Sequence, residues 1–244
     1  DISEVNSEII IPDGVYIIKQ DNVLGQHNKE YVGSISFKGY GYNNSIIKLQ
    51  PNGNEMFFYK NTIDMYKFNT FKDIQFTSTD NQLANCFHIT STGYEQGFKF
   101  TNCFFKNFKT FYSLHGIVGN SEHKFYNCKI THIYDKVIHL NNPQAVNIEL
   151  FGTDIESIFG DVFYIDANGG GSIKMYGGSL ITHNNTNDTK MHYILNNNGS
   201  SGTGTGNDDF MFSGVKTELR SKYSGLVKSE LNSGSLWCNF IGCN

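Results

Sequence analysis

Several residue types are scarce in this chain of 244 residues. Arg220 is its only arginine, and there are one tryptophan and three prolines. The net charge is −4 and charged residues make up 17 %, which does not predict the basic, patchy surface of a nucleic-acid-binding protein. One arginine leaves little capacity for bidentate recognition of phosphate or carboxylate groups. No apolar run approaches the roughly 20 residues of a membrane-spanning helix, so membrane insertion is not expected.

The cysteines do not form a metal-binding pattern. There are five, an odd number, and neither a Cys-x-x-Cys pair nor a Cys/His metal spacing is present. Cys103 and Cys128 are 25 residues apart, which leaves a disulfide between them geometrically possible. The interpretation that we favour is a set of buried free thiols that behave as small apolar side chains. No metal ion or cofactor is predicted.

A short pattern returns every 25 residues in the middle of the chain. Phe100-Thr101-Asn102-Cys103 is followed at this spacing by segments that begin at Phe125, Leu150 and Met175, and looser copies begin at Phe37, Phe71, Phe212 and Phe240. A fixed period between 20 and 50 residues is typical of a solenoid. Alternating apolar and polar residues, with Asn or Gly at a corner, predict a strand, a tight turn and another strand in each copy.

The repeat therefore predicts an all-β chain that forms a single-stranded parallel β-helix of about eight coils. We expect one domain over residues 1–244, which is a fragment of a longer chain, with a long loop insertion at 183–209. Met191–Leu195 should form a strand inside that insertion. Two columns of side chains should point inward, and they are Phe100, Phe125, Leu150, Met175, Phe212 and Phe240 in the first and Cys103, Cys128, Thr153 and Gly178 in the second.

The beginning of the chain resembles a known superfamily. Ile-Pro-Asp-Gly-Val-Tyr at 11–16 is followed by Ile-x-Phe-x-Gly-x-Gly at 35–41 and by Ile-Ile-Lys-Leu at 46–49. These motifs resemble the opening of the right-handed parallel β-helices of the pectin-lyase-like superfamily, and most of all the tailspike and tail-appendage proteins of bacteriophages. The resemblance covers nearly the whole chain. It implies a right-handed helix, a homotrimer and a place on the virion tail, which is extracellular when active.

The resemblance leaves the activity open, because this fold carries several chemistries and also plain adhesins. The leading hypothesis is a tailspike that binds, and as a depolymerase also hydrolyses, a bacterial surface polysaccharide or teichoic acid during host attachment. The first alternative is a non-catalytic receptor-binding or structural shaft. A secreted polysaccharide lyase is the second, although its cationic groove is hard to build from one arginine. The motifs of pectate lyases and polygalacturonases and the Gly-x-Ser-x-Gly elbow are absent.

Two carboxylates are the candidate catalytic residues. Asp154 and Glu156 lie two apart on one predicted strand, so both project from the same face, with backbones about 6.6 Å apart. Inverting glycosidases hold an acid and a base roughly 6.5–9.5 Å apart. Lys129, one coil away from Asp154, would keep that residue ionised while Glu156 acts as the acid. The alternative is a solvated strand face with an ion pair of little energetic value.

An outward aromatic column is the candidate substrate-binding surface, together with Lys129. Tyr126, Phe151 and Tyr176 are 25 residues apart and should form a flat strip along the helix axis. Such a strip could dock the apolar faces of sugars, or it could be buried between subunits. The histidines look scattered. His88 and His139 share an outward column, but two coils should separate them, and no histidine–carboxylate relay is predicted.

Overall fold

The structure is a computed structural model that describes residues 7–23, 35–53, 55–56, 58–62, 69–91, 97–117, 122–143, 146–183, 189–198, 208–230 and 236–244. All of its regular elements are strands. They are β1 Ser7–Ile10, β2 Gly14–Ile18, β3 Asn22–Val23, β4 Ile35–Lys38, β5 Ser45–Leu49, β6 Phe58–Thr62, β7 Asn69–Lys72, β8 Gln75–Ser78, β9 Asn85–Ser91, β10 Phe98–Thr101, β11 Phe104–Gly116, β12 His123–Tyr126, β13 Lys129–Asn141, β14 Val146–Phe151, β15 Asp154–Ile158, β16 Asp161–Ile165, β17 Gly171–Tyr176, β18 Ser179–Thr182, β19 His192–Asn197, β20 Asp208–Ser213, β21 Lys216–Glu218, β22 Ser224–Ser229 and β23 Leu236–Ile241.

These strands form two sheets, and each sheet A strand before β23 is followed along the chain by one or two strands of sheet B. Sheet A has nine strands in the order β1-β4-β7-β10-β12-β14-β17-β20-β23. Sheet B has 14 strands, and its main path runs β2-β5-β8-β11-β13-β15-β18-β21. The paired strands are parallel, as in β10 with β12 and β11 with β13. The fold is thus a parallel β-solenoid, which confirms the all-β class and the predicted stacking of coils.

The solenoid makes about six turns over the described residues, slightly fewer than the eight expected. The regular 25-residue coils lie in its middle, and the coils toward either end are longer. The insertion at 183–209 contains β19, which confirms the strand predicted at Met191–Leu195. Residues 184–188 and 199–207 of that insertion lie outside the described residues. No helix in the described part of the chain is long and apolar enough to cross a membrane.

In-register stacking of apolar side chains holds the coils together. Phe100 pairs with Phe71 on one side and with Phe125 on the other, and the column continues through Leu150 and Met175. Phe100, Phe125, Leu150 and Met175 are all fully buried. The predicted inward column is therefore confirmed. Its rings stack face to face, because strands of one sheet are about 4.8 Å apart and aromatic rings pack well at that distance.

The second inward column is narrower and contains the thiols. Cys103 and Cys128 have 1 % and 2 % of their surface exposed, and both are free, as are the other three cysteines. The expectation of unpaired thiols is confirmed. Burial raises the pKa of the Cys128 thiol above its ordinary value, so it stays neutral and acts as a small apolar group.

From β7 onward, each sheet A strand is followed by a corner residue in the left-handed region. The φ angle at this corner is 57° at Asp73, 51° at Asn102, 50° at Asn127, 56° at Gly152 and 66° at Gly177. Asn, Asp and Gly adopt this conformation at the lowest cost, which explains why the repeat has these types after each sheet A strand. From β7 onward, this corner marks the end of each sheet A strand.

Candidate functional site

The two candidate carboxylates lie on the outer face of β15, just after a corner. Asp154 pairs in register with Lys129 of β13 and with Ser179 of β18, as the 25-residue arithmetic predicts. Glu156 pairs with Thr131 and Ile181. Alternation along the strand places Ile155 between them in the core, fully buried. The strand therefore holds both carboxylates on the same face of sheet B.

The hydroxyl of Ser179 lies between the two carboxylates. Its Oγ is 2.8 Å from Asp154 Oδ1 and 3.0 Å from Glu156 Oε1. The two carboxylate oxygens are therefore no more than 5.8 Å apart. This is nearer to the roughly 5–5.5 Å spacing of retaining glycosidases than to the wider spacing expected for an inverting pair. The serine also occupies the position that an inverting enzyme leaves for a water molecule.

Lys129 forms an ion pair with Glu156, whereas the sequence predicted one with Asp154. Its Nζ lies 3.5 Å from Glu156 Oε2, whereas Asp154 accepts from Ser179. The two residues are neighbours on adjacent strands as predicted, but the expected ion pair of Lys129 with Asp154 is replaced by one with Glu156. The long lysine side chain leans along the strand direction, so its ammonium reaches the diagonal neighbour instead of the residue directly opposite. Lys129 is half exposed and Glu156 less so, so the pair contributes little to stability by itself.

The outward aromatic column forms a ladder of stacked rings and not a flat strip. The ring centroids of Tyr126 and Phe151 are 5.0 Å apart at an interplanar angle of 6°, and those of Phe151 and Tyr176 are 5.1 Å apart at 11°. Rings that lay flat side by side could not approach this closely without overlap of their edges. The rings consequently stand on edge, and both faces of Phe151 are covered by its neighbours.

This geometry changes what the aromatic ladder (Tyr126, Phe151 and Tyr176) can offer to a ligand. Lys99 Nζ lies 5.1 Å from the centroid of the Tyr126 ring, which covers one end of the ladder. Ring edges and phenolic hydroxyls face outward, so hydrogen bonds are available where face-to-face contact with a sugar was expected. Each ring of the ladder belongs to the last residue of its sheet A strand, and Phe151 lies directly before the corner that leads to β15. Aromatic edges and carboxylates therefore flank the same corner of the coil.

A group of histidines on sheet B is the main feature that the sequence interpretation missed. We call it the histidine wall and define it as His88, His115, His139 and Asp166. The rings of His88 and His115 stack at 4.5 Å, and those of His115 and His139 meet edge to face at 5.3 Å. One coil separates His88 from His139, not two, and His115 on that coil contacts both rings.

The histidine wall contains the histidine–carboxylate pair that was not predicted. His139 Nε2 lies 3.1 Å from Asp166 Oδ2, and Asp166 Oδ1 accepts the Ala167 N–H at 2.8 Å. Burial works against ionisation of Asp166, but these hydrogen bonds outweigh it and its pKa lies below the ordinary value. The ionised carboxylate can only accept, so Nε2 of His139 carries the hydrogen and Nδ1 the lone pair.

Burial keeps the imidazoles of the wall neutral at physiological pH. It lowers the pKa of His115 to about 4, and protonation of His88 or His139 lowers the pKa of His115 further through charge repulsion. Burial lowers the pKa of His88 and His139 as well, although the hydrogen bond to Asp166 acts in the opposite direction on His139. A neutral imidazole oriented by a carboxylate is the arrangement of a general base. The wall is thus a second place where acid–base chemistry is physically supported.

Asp161, the first residue of β16, differs from Asp166 in that burial has a larger effect on its pKa than its hydrogen bonds. Burial raises its pKa, although it accepts hydrogen bonds from the Tyr193 N–H at 2.7 Å and from Asn196 Nδ2 at 2.8 Å. These bonds fix the start of β19 against β16. In the described part of the chain, no three His, Cys, Asp or Glu side chains are placed to hold a metal ion.

No family model, curated protein or solved structure matches this chain. The solenoid and the two side-chain constellations described above therefore carry the functional argument.

Proposed function

We propose that this chain is the polymer-binding solenoid of a bacteriophage tail appendage and that it hydrolyses a bacterial surface polysaccharide or teichoic acid at Asp154 and Glu156. The observation that carries this is the pair of carboxylates held within 5.8 Å of each other beside the aromatic ladder. At a glycosidic bond, one carboxyl group protonates the leaving-group oxygen and the other attacks the anomeric carbon. Water then hydrolyses the resulting glycosyl-enzyme, and the first carboxylate takes up the proton of that water. The resemblance of residues 11–16, 35–41 and 46–49 to tailspikes supports an elongated homotrimer on the virion tail, or a secreted form.

The experiment is size-exclusion chromatography of purified capsular polysaccharides and wall teichoic acids after incubation with the protein. We expect one polymer to be shortened, and Glu156→Gln to slow the shortening by about 100-fold or more, because that is the usual contribution of a catalytic acid or base. Glu230→Gln is the matched control, since Glu230 is also paired with a lysine (Lys228, 3.0 Å) but follows β22, a strand that pairs with neither β15 nor sheet A. We expect this control to cut at the wild-type rate.

A second variant separates the two possible catalytic locations. If Glu156→Gln cuts normally and His139→Gln does not, the enzyme is real but its chemistry belongs to the histidine wall, and the carboxylate assignment is wrong. If the products absorb as unsaturated sugars, the chain is a polysaccharide lyase instead of a hydrolase. The closeness of Asp154 and Glu156 further predicts retention of the anomeric configuration, which NMR of the first product would reveal.

A non-catalytic receptor-binding shaft is the second candidate, and one observation favours it. Ser179 and Lys129 already occupy oxygens of the carboxylate pair, as in an ordinary structural network. In that case a polymer binds to the protein and elutes at its original size. Glu156→Gln would then alter neither binding nor polymer length.

A further inference from the structure

Sheet A carries a row of lysines on its outer face. We call it the lysine stripe and define it as Lys38 of β4, Lys72 of β7, Lys99 of β10 and Lys124 of β12. These strands follow one another in the sheet. Lys38, Lys72 and Lys99 are exposed, and none of the ion pairs among the described residues includes them. Lys124 is half-buried and pairs with Glu149.

The register of the stripe places like charges directly opposite each other. Lys38 pairs with Lys72, and Lys99 pairs with Lys124. Like charges opposite each other on neighbouring strands are destabilising. The chain as a whole is acidic, with a net charge of −4, so this clustering is not a result of its composition. Lysines often protect exposed edge strands, but β7 and β10 are in the interior of sheet A, where that explanation does not apply.

The stripe continues into the aromatic ladder. Lys72 and Thr101 occupy the same outward column as Tyr126, and Lys99 reaches across to the Tyr126 ring. From β4 to β17 this surface covers five strand steps, or about 24 Å at one strand spacing per step. Lys99 pairs with Thr70 and not with Lys72, so the cations and the aromatic rings form one band, two adjacent columns wide, parallel to the solenoid axis.

We propose that this band of lysines and aromatic rings binds an anionic polymer, whose phosphate or carboxylate groups lie against Lys38, Lys72 and Lys99. The inference rests on the proposed function, because it specifies the charge class of the surface polymer. Exposed lysines attract phosphates and carboxylates as point charges and do not require the bidentate geometry that only arginine supplies. A polymer is favoured over a small anion because the cations are spread over successive coils instead of converging on one point.

The test is biolayer interferometry with the whole chain and immobilised polymers. The probes are a polyglycerol-phosphate teichoic acid, a polyuronate and neutral dextran, and the first two separate phosphate from carboxylate. We expect at least one anionic polymer to bind, with affinity that falls about tenfold or more between 50 and 200 mM salt, because several ion contacts are made. Replacement of Lys38, Lys72 and Lys99 by Gln should remove most of this binding.

A triple variant of Lys19, Lys190 and Lys222 to Gln is the matched control. These three lysines are also exposed and lie away from sheet A, so the control has the same change in net charge. We expect it to bind like the wild type. Equal losses of polymer affinity in both variants would overturn the proposal that the lysine stripe binds the polymer. Tighter binding of single-stranded DNA than of either anionic polymer would also overturn it. Binding of neutral dextran that no lysine variant changes would also overturn it but leave the proposed function standing, whereas failure of any glycan or teichoic acid to bind would reject both.

Discussion

Replacement of Phe100 by Ala should lower the free energy of unfolding by about 3–5 kcal/mol, the usual cost of removing a fully buried phenyl ring. Phe100 has no exposed surface. Its ring stacks on Phe71 at 5.2 Å and on Phe125 at 4.9 Å, and it meets the edge of Phe87 at 5.1 Å. These neighbours are themselves fixed by strand pairing, so they cannot close the cavity. Chemical denaturation followed by circular dichroism measures the loss.

The control for this prediction is Phe151→Ala, the same substitution on the outer face. Phe151 is half-buried and stacks between Tyr126 and Tyr176 at similar distances. We expect a loss of about 0.5–1.5 kcal/mol, because the ring contributes pair stacking but fills no closed space. If the two variants lost equal stability, the inward and outward assignment of the repeat would be wrong.

Acidification should destabilise the protein through the histidine wall. In the unfolded chain His115 takes up a proton near pH 6.5, whereas in the folded chain its pKa is about 4. The unfolded state therefore binds more protons between these values, and the free energy of unfolding falls as the pH decreases from about 6.5 to 4. We expect His115 to contribute about 1–2 kcal/mol of this loss, less than the full shift implies because part of the ring contacts water.

The variant His115→Gln isolates this contribution, because glutamine does not titrate. Other groups act in the same range. The lowered pKa values of His88 and His139 add to the loss, whereas Asp161, whose pKa is raised, opposes it because the folded state takes up its proton first. The difference between the variant and the wild type removes these shared terms. We expect the two unfolding curves to approach each other as the pH decreases from 6.5 to 4. Parallel curves would contradict the assignment.

In the middle of the solenoid, the repeat predicted the columns of sheet A and the start of sheet B because the coils from β10 to β17 have the same length. Phe100, Phe125 and Leu150 stack at 25-residue steps, and the same arithmetic placed Asp154 beside Lys129 and Ser179. The 25-residue spacing does not predict the direction in which a long side chain extends. The lean of Lys129 to Glu156 and the edge-on rings of the ladder depend on rotamers, which strand position alone does not determine.

The histidine wall was missed because its contacts are diagonal and cross a change of register. Between Phe108 and Thr110 the pairing of β11 with β13 shifts, so Ser113 pairs with His139 at a separation of 26 residues. His88 and His115 are 27 residues apart, as are His139 and Asp166. A search for titratable residues separated by one repeat plus or minus two would have found them. Similarly, the net charge of −4 concealed the lysine stripe, because a total does not record which face each charge occupies.

The left-handed corner residue has a consequence for how this architecture can vary. Because the regular 25-residue coils turn at the same position and each packs on its two neighbours, one such coil is an interchangeable unit. Removal of 25 residues that begin at Tyr126 would place Phe151 after Phe125 and leave the inward column and the corner intact. The solenoid would become shorter by about 4.8 Å, one strand spacing. The number of coils therefore sets the distance between two surface sites along the solenoid axis, while the residues of each site stay the same.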